Sequence, residues 1–200
     1  MRDSVLPANA GAGGTVNGRG SPPRDAPPAP VLVRQATLAD AEAIARVHIQ
    51  AWRETYRGLV PAEHLAGLSV DRRAELWRRE LGDPRQAPGL VVAEAGGAIV
   101  GFAAAGPARE PARGFAGELY AIYLLRNQQG RGCGRRLFLA AAAALAAQGI
   151  ASFMLWVLRD NPNRGFYEHM GGAPFAEQRI VIGDRDLVEI AYGWPAPPGG

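Results

Sequence analysis

The sequence predicts a mixed α/β domain built around one sheet, and three observations predict it. Strand-like and helix-like segments follow in the order β α α β β β α β α β β. A glycine-rich turn joins one strand to a long alanine-rich helix that another strand follows, which demands at least one strand–helix–strand crossover. Two pairs of strands are separated only by turn residues, Gly96-Gly97 and Gly183 to Asp186, the pattern of β-hairpins.

Each element has a local reason. Val31 to Ala36 reads as a first strand. Thr37 and Asp40 then form a capping-box-like start, with Asp in place of the usual Glu. The helix that follows carries Ile44, Val47, His48, Ala51 and Trp52 on one face at helical spacing and is expected to end near Gly58. A second helix is predicted from Ser69 to Leu81, with Leu76 and Trp77 inward and arginines outward. Gly82, Pro84 and Pro88 break it. Leu90 to Ala95 and Ala98 to Ala105 form the first hairpin, and Glu118 to Leu125 the next strand. A helix from about Cys133 to Gln148 is stopped by Gly149. Phe153 to Leu158 is a strand, a short helix is expected from Pro162, and Phe175 to Ile182 pairs with Leu187 to Trp194.

The folded region is therefore expected at 31–194. Residues 1–30 are mostly Gly, Pro, Ala, Asn and Ser, too poor in apolar surface to offset the entropy of ordering, and are expected to be disordered, as is the tail 195–200. No apolar run approaches the roughly 18 residues that cross a bilayer; Leu137 to Ala147 is shorter and mostly alanine. The N-terminus lacks the apolar stretch of a signal peptide, so a cytoplasmic protein without a membrane partner is expected. One cysteine, Cys133, excludes an internal disulfide and a cysteine-based zinc site, and His64 and His169 have no readable partner, so no metal is expected. All 22 basic residues are arginine, the net charge is only +3, and the basic residues are dispersed, which argues against a nucleic-acid partner.

The most informative segment is Gln129-Gly130-Arg131-Gly132-Cys133-Gly134-Arg135-Arg136, between a strand and a helix. The first turn of a helix offers unpaired N–H groups and the positive end of the dipole. Glycines let a phosphate approach those amides, and arginines add full charge. A P-loop is excluded because its lysine is missing. A dinucleotide fingerprint is weak because Arg135 stands where a small residue is needed.

Gln129-x-x-Gly132-x-Gly134 resembles the Q/R-x-x-G-x-G/A coenzyme A signature of the GNAT N-acetyltransferases. Downstream, Asn161-Pro162-Asn163-Arg164-Gly165-Phe166-Tyr167-Glu168-His169-Met170-Gly171-Gly172 is similar to that family's N…FYE-x-x-G segment. The resemblance covers nearly all of 31–194. It implies a mixed, mostly antiparallel sheet with a splayed parallel strand pair, flanked by helices, and acetyl-CoA as co-substrate. The diphosphate would sit on the amides of Gly130, Arg131, Gly132, Cys133, Gly134 and Arg135, after Gln129. The pantetheine arm would pair with the backbone of Ile122, Tyr123 and Leu124, where an N–H would polarise the thioester carbonyl. Asn161 would hydrogen-bond that arm.

The implied reaction is direct acetyl transfer to a primary amine, on a small molecule or a peptide. Tyr167 stands at the family position whose hydroxyl faces the sulfur and would be the general acid. Glu118 resembles the glutamate that acts as general base, with Glu54, Glu189 or a water chain as alternatives. Trp52, Tyr56 and Arg57 lie where the family builds its acceptor pocket, so Trp52 and Tyr56 are candidate substrate contacts. His48 reads as a satisfied, partly buried histidine and Cys133 as a small packing residue. A non-catalytic acyl-CoA-binding regulatory module on the same fold is the alternative function, since fold alone does not separate the two. Pairing of two copies through the last strands is a further expectation.

Overall fold

The structure, a computed structural model, describes residues 30–110, 114–196 and 198. The expected N-terminal disorder falls, except at Pro30, outside the described residues, as do 197, 199 and 200 of the expected C-terminal tail. The strands are β1 (Val31–Gln35), β2 (Leu90–Ala95), β3 (Ala98–Pro107), β4 (Gly117–Leu124), β5 (Phe153–Leu158), β6 (Ala173–Ile182) and β7 (Arg185–Trp194). The helices are α1 (Ala41–Thr55), α2 (Ala62–Ala66), α3 (Val70–Gly82), α4 (Cys133–Ala147) and α5 (Gly165–His169).

One seven-stranded sheet runs in the order β1-β2-β3-β4-β5-β7-β6. Every neighbouring pair is antiparallel except β4–β5, which is parallel and has two rungs, Gly117 opposite Phe153 and Glu118 opposite Met154. The expected splayed pair is therefore present, and its hinge has local causes. A Cβ on Gly117 would come within 2.6 Å of Ile150 Cγ2 and 3.2 Å of Phe153 Cβ, so glycine lets β5 close on β4 at that end. Just beyond, the β3–β4 register shifts between Ala104 and Ala105, leaving Tyr120 as an extra residue on β4. Such a bulge adds twist and bends its strand away. Meanwhile β5 follows β7 along its whole length, from Phe153 opposite Trp194 to Leu158 opposite Glu189.

Helix α4 covers one face of the sheet. Leu137, Phe138, Ala141, Ala142 and Leu145 bury against Leu119, Ile122 and Leu124 of β4 and Phe153, Leu155 and Val157 of β5. Helices α1 and α3 cover the other face, burying Ile44, Trp52, Tyr56 and Trp77 against Val92, Phe102, Ala121 and Tyr123. The expected Thr37–Asp40 box is present, but it closes a 3-10 turn at Leu38–Asp40, and α1 follows from Ala41. Asp40 accepts from Thr37 N at 2.8 Å and Thr37 Oγ1 at 2.9 Å, and takes both Arg34 Nη1 at 2.8 Å and Nη2 at 2.9 Å. The Arg34 guanidinium holds the Asp40 carboxyl down, to about 2.

Most boundaries shift by one to three residues, and three departures are larger in kind. Helix α2 was not expected, because five residues are too few to display a period. The last hairpin turns on Gly183 and Asp184 alone, with Ile182 opposite Arg185, rather than on four residues. Helix α5 starts at Gly165, not Pro162, because Asn161 Oδ1 accepts the Asn163 N–H at 2.9 Å and holds the intervening residues in turns.

Candidate active site

The glycine-rich turn lies at the N-terminus of α4. Gly130 and Gly132 have φ of 72° and 75°, and a Cβ on Gly132 would meet nothing within 4 Å. Glycine is thus required there by backbone conformation, while the space beside it stays open. The first backbone bond of α4 is donated by Arg136 to the Gly132 carbonyl at 3.1 Å. Among the described residues, the amides of Gly130 to Arg135 have no protein acceptor. Arg131, Arg135 and Arg136 are exposed around them, whereas Cys133 is buried in the α4-side core, as a packing residue should be. Unfilled amides, a helix dipole and arginines together suit a diphosphate. Gln129 does something more local: its Nε2 donates to the Leu124 carbonyl at 3.1 Å and ties the turn to the end of β4.

Between the turn and the hinge, β4 is paired on one side only. Ile122, Tyr123 and Leu124 pair with Ala103, Phe102 and Gly101 of β3, but no rung joins them to β5. That edge can accept an extended arm as it would accept a strand.

A buried tyrosine cluster stands where the strands have parted. Trp52 Nε1 donates to Tyr123 Oη at 2.8 Å, Tyr123 and Tyr56 share a side-chain hydrogen bond, and Asn161 Nδ2 lies 3.4 Å from Tyr56 Oη. Tyr167, on α5, is fully buried. Its ring belongs to the α4-side core, yet the groups it senses electrostatically, Tyr56 and Tyr123, belong to the α1-side core. The two layers can meet only where the sheet between them has opened. Tyr167 Oη has no hydrogen-bond partner among the described residues, although leaving a hydroxyl unpaired costs about 1–3 kcal/mol. Burial, with Tyr56 adding to it, pushes the Tyr167 phenol well above its ordinary range and keeps it protonated.

At the hinge end, Glu118 is buried and bound to Arg109. Arg109 donates from Nε at 3.1 Å to both carboxylate oxygens, from its backbone N at 3.2 Å, and from Nη2 in a still closer contact. Glu189 is buried as well and accepts from Gln178 Nε2 at 2.9 Å. Burial raises the Glu189 carboxyl above its usual range, Gln178 and Arg109 counter this, and Glu118 adds to it.

The sequence-predicted residues are thus distributed, not gathered at one point. Tyr56, Tyr123, Asn161 and Tyr167 meet in one cluster, while Glu118 lies five residues back along β4 from Tyr123, roughly 16 Å for an extended strand. Trp52 is buried but also lines a cavity of about 670 Å³ between α1, α3 and the β6–β7 turn; Tyr56 is wholly internal. His48 corrects its expectation: it is fully buried, not partly, and neither ring nitrogen has a hydrogen-bond partner among the described residues. It stacks on Tyr123 at 4.8 Å, and burial holds it well below the usual imidazole range. Sequence reasoning missed Arg109, whose loop position gave no periodic signal.

The opened parallel pair thus stands beside a strand-to-helix turn of unfilled amides and a buried phenol without a partner among the described residues. The family model described as "Acetyltransferase (GNAT) family" matches residues 49–172. The uncharacterized N-acetyltransferase YuaI of Bacillus subtilis is 37% identical over 166 residues, covering 82% of this chain and 93% of that protein. Among solved structures, the paia N-acetyltransferase of Thermoplasma acidophilum, in complex with coenzyme A, matches with a TM-score of 0.63 at 20% identity, covering 82% of this chain and 99% of that one. The structure of yncA from Salmonella typhimurium with acetyl-CoA matches with a TM-score of 0.63 at 20% identity, over 82% and 93%. The chain belongs to the GNAT acetyltransferase family and is an N-acetyltransferase. Among the described residues, no helix is long and apolar enough to cross a membrane.

Proposed function

We propose that this chain moves an acetyl group from acetyl-CoA to a primary amine by direct transfer. The amides of Gly130 to Arg135 and the arginines beside them would hold the diphosphate, and the free edge of β4 at Ile122 to Leu124 would hold the arm. Bound there, acetyl-CoA supplies an acetyl group activated as a thioester. A backbone N–H of that edge would polarise the thioester carbonyl. Tyr167 Oη, neutral and otherwise unpaired, would donate its proton to the departing sulfur. Asn161, held by Asn163 and Tyr56, would support the arm beside it. Trp52 would border the approach of the acceptor from the cavity it lines, with Tyr56 behind it.

The amine must lose a proton before it attacks. Glu118 would receive it through a chain of waters, given its distance along β4 from the tyrosine cluster. Glu189 is the second reading for the base, favoured by one observation: Arg109 occupies both oxygens of Glu118, whereas Glu189 accepts from the neutral amide of Gln178.

The orphan hydroxyl of Tyr167 carries the proposal, because a buried phenol without a partner is poised to give its proton to something the fold does not itself contain. The test is release of free coenzyme A thiol across a panel of amines. Release with at least one amine, strongly reduced by Tyr167→Phe, is expected. No release with any amine would overturn the proposal.

A further inference from the structure

The run Phe166-Tyr167-Glu168 gives Glu168 no task in the reaction proposed above. Its place in the fold supplies one. Helix α5 is five residues long and has no side-chain cap at its N-terminus. Such a helix is too short to hold itself. The chain also leaves it at once: the Gly171 N–H donates to the Glu168 carbonyl and the Gly172 N–H to the Tyr167 carbonyl, each at 2.9 Å. The seat of α5 is therefore set by what it touches on other elements.

Two of those contacts are hydrogen bonds from β7. Tyr192 Oη donates to Glu168 Oε1 at 2.6 Å, and Trp194 Nε1 donates to the Met170 carbonyl at 2.9 Å. The first has the length of a hydroxyl on a charged carboxylate, the stronger kind of hydrogen bond. Tyr192 is only 1% exposed, so its hydroxyl needs an acceptor inside the protein, whereas Glu168 is exposed and has water as its alternative. The second bond is backed by close packing, since a Cβ on Gly172 would collide with the Trp194 ring. The Tyr192 and Tyr167 rings lie 6.1 Å apart. Strand β7 in turn pairs with β5, and Tyr192 stands opposite Leu155. The two bonds thus clamp α5, just beyond Tyr167, to the β5 half of the opened pair.

We propose that Glu168 and Tyr192 are positioning residues for proton donation by Tyr167. Successive residues of a helix point about 100° apart, so holding Glu168 on β7 sets the rotation of α5 and with it the direction of the neighbouring phenol. A phenol oxygen stands well out from the helix axis, so a small rotation carries it far. A misplacement of about 1 Å can cost on the order of a hundredfold in rate. The glycine-rich turn and the β4 edge belong to other elements, so binding of the carrier does not depend on the clamp. This rests on the reading of Tyr167 as the acid and deepens it, by naming what aims the phenol.

The test measures kcat and the Kd of acetyl-CoA for Glu168→Ala, Glu168→Gln and Tyr192→Phe, each alone and combined with Tyr167→Phe, alongside the ring signals of protein labelled with ¹³C-tyrosine. The five tyrosines give a short spectrum, and Tyr167→Phe assigns the relevant signal. Glu168→Ala and Tyr192→Phe should each lower kcat about tenfold, the worth of one hydrogen bond to a charged group, with Kd unchanged within about twofold. The two together should be no worse than either alone, because both remove the same bond. Glu168→Gln, whose amide oxygen still accepts from Tyr192, should keep most of the activity. Combined with Tyr167→Phe, neither substitution should lower kcat further. The Tyr167 ring signal should shift in Glu168→Ala and return in Glu168→Gln. An undiminished kcat in Glu168→Ala would overturn the positioning role while leaving acetyl transfer intact. So would a loss that persists beside Tyr167→Phe, or one matched by an equal weakening of Kd. Full activity in Tyr167→Phe alone would overturn the acid reading itself, and the ring signal would still decide whether the clamp sets the phenol's place.

Discussion

The two walls of the opened strand pair are built on different physics. The α4 side presents main chain: unfilled amides at Gly130 to Arg135, a helix terminus and a strand edge. The α1 and α3 side presents side chains: the Tyr56–Tyr123 cluster, Trp52 and the Glu118–Arg109 pair. The first wall asks only that a few residues be glycine and that a helix begin there. The second asks that residues distant in sequence converge. In the proposed reaction the difference separates a generic half from one particular to this chain: the carrier would be met by backbone, the acceptor by side chains.

Four substitutions sharpen or break that contrast. Tyr167→Phe should have the largest effect, lowering kcat on the order of a hundredfold or more while the Kd of acetyl-CoA changes little. A kcat left intact in steady-state assays would remove the acid from the account. Glu118→Gln should lower kcat roughly tenfold to a hundredfold at neutral pH. If kcat survives in Glu118→Gln and falls by that factor in Glu189→Gln, the base belongs to Glu189. Gly132→Val should act on the other wall alone. Holding a side chain at φ of 75° costs about 1–2 kcal/mol, so acetyl-CoA should bind about tenfold more weakly with kcat at saturation preserved. Equal loss in both parameters would show that the two walls are not separable.

Asp40→Asn, far from both walls, sets the baseline for a structural effect. Its carboxyl lies at about 2 in the folded chain against 3.8 ordinarily, a depressed acid. Its stabilisation is therefore full above 3.8 and is lost as pH falls through about 2. At neutral pH the substitution should cost about 1–2 kcal/mol in denaturant unfolding, and the variant's stability should fall less steeply in acid than that of the parent. Activity per folded molecule should stay unchanged.

The same contrast governs how much could be read in the sequence. The turn was legible because its chemistry is local: glycines and arginines within eight residues of a helix start. The edges of β2 and β5 were placed to the residue, because hydrophobic runs bounded by Gly and Pro are local signals too. The parallel pair was legible in the strand–helix–strand crossover, but its opening only through resemblance, since the bulge at Tyr120 leaves no mark in composition. Arg109 was missed because its partnership with Glu118 depends on how a loop folds back. His48 was expected to be satisfied, and the aromatic packing that leaves both its nitrogens unpaired comes from α1, α3, β3 and β4 together.

The most direct measurement of the main-chain grip is isothermal titration of the folded chain with acetyl-CoA and, separately, with S-acetylpantetheine, which keeps the thioester and arm but lacks the diphosphate. One mole of acetyl-CoA should bind per mole of chain, with S-acetylpantetheine far weaker and Gly132→Val narrowing the gap. Equal affinity for the two compounds, or no heat with acetyl-CoA, would contradict the account.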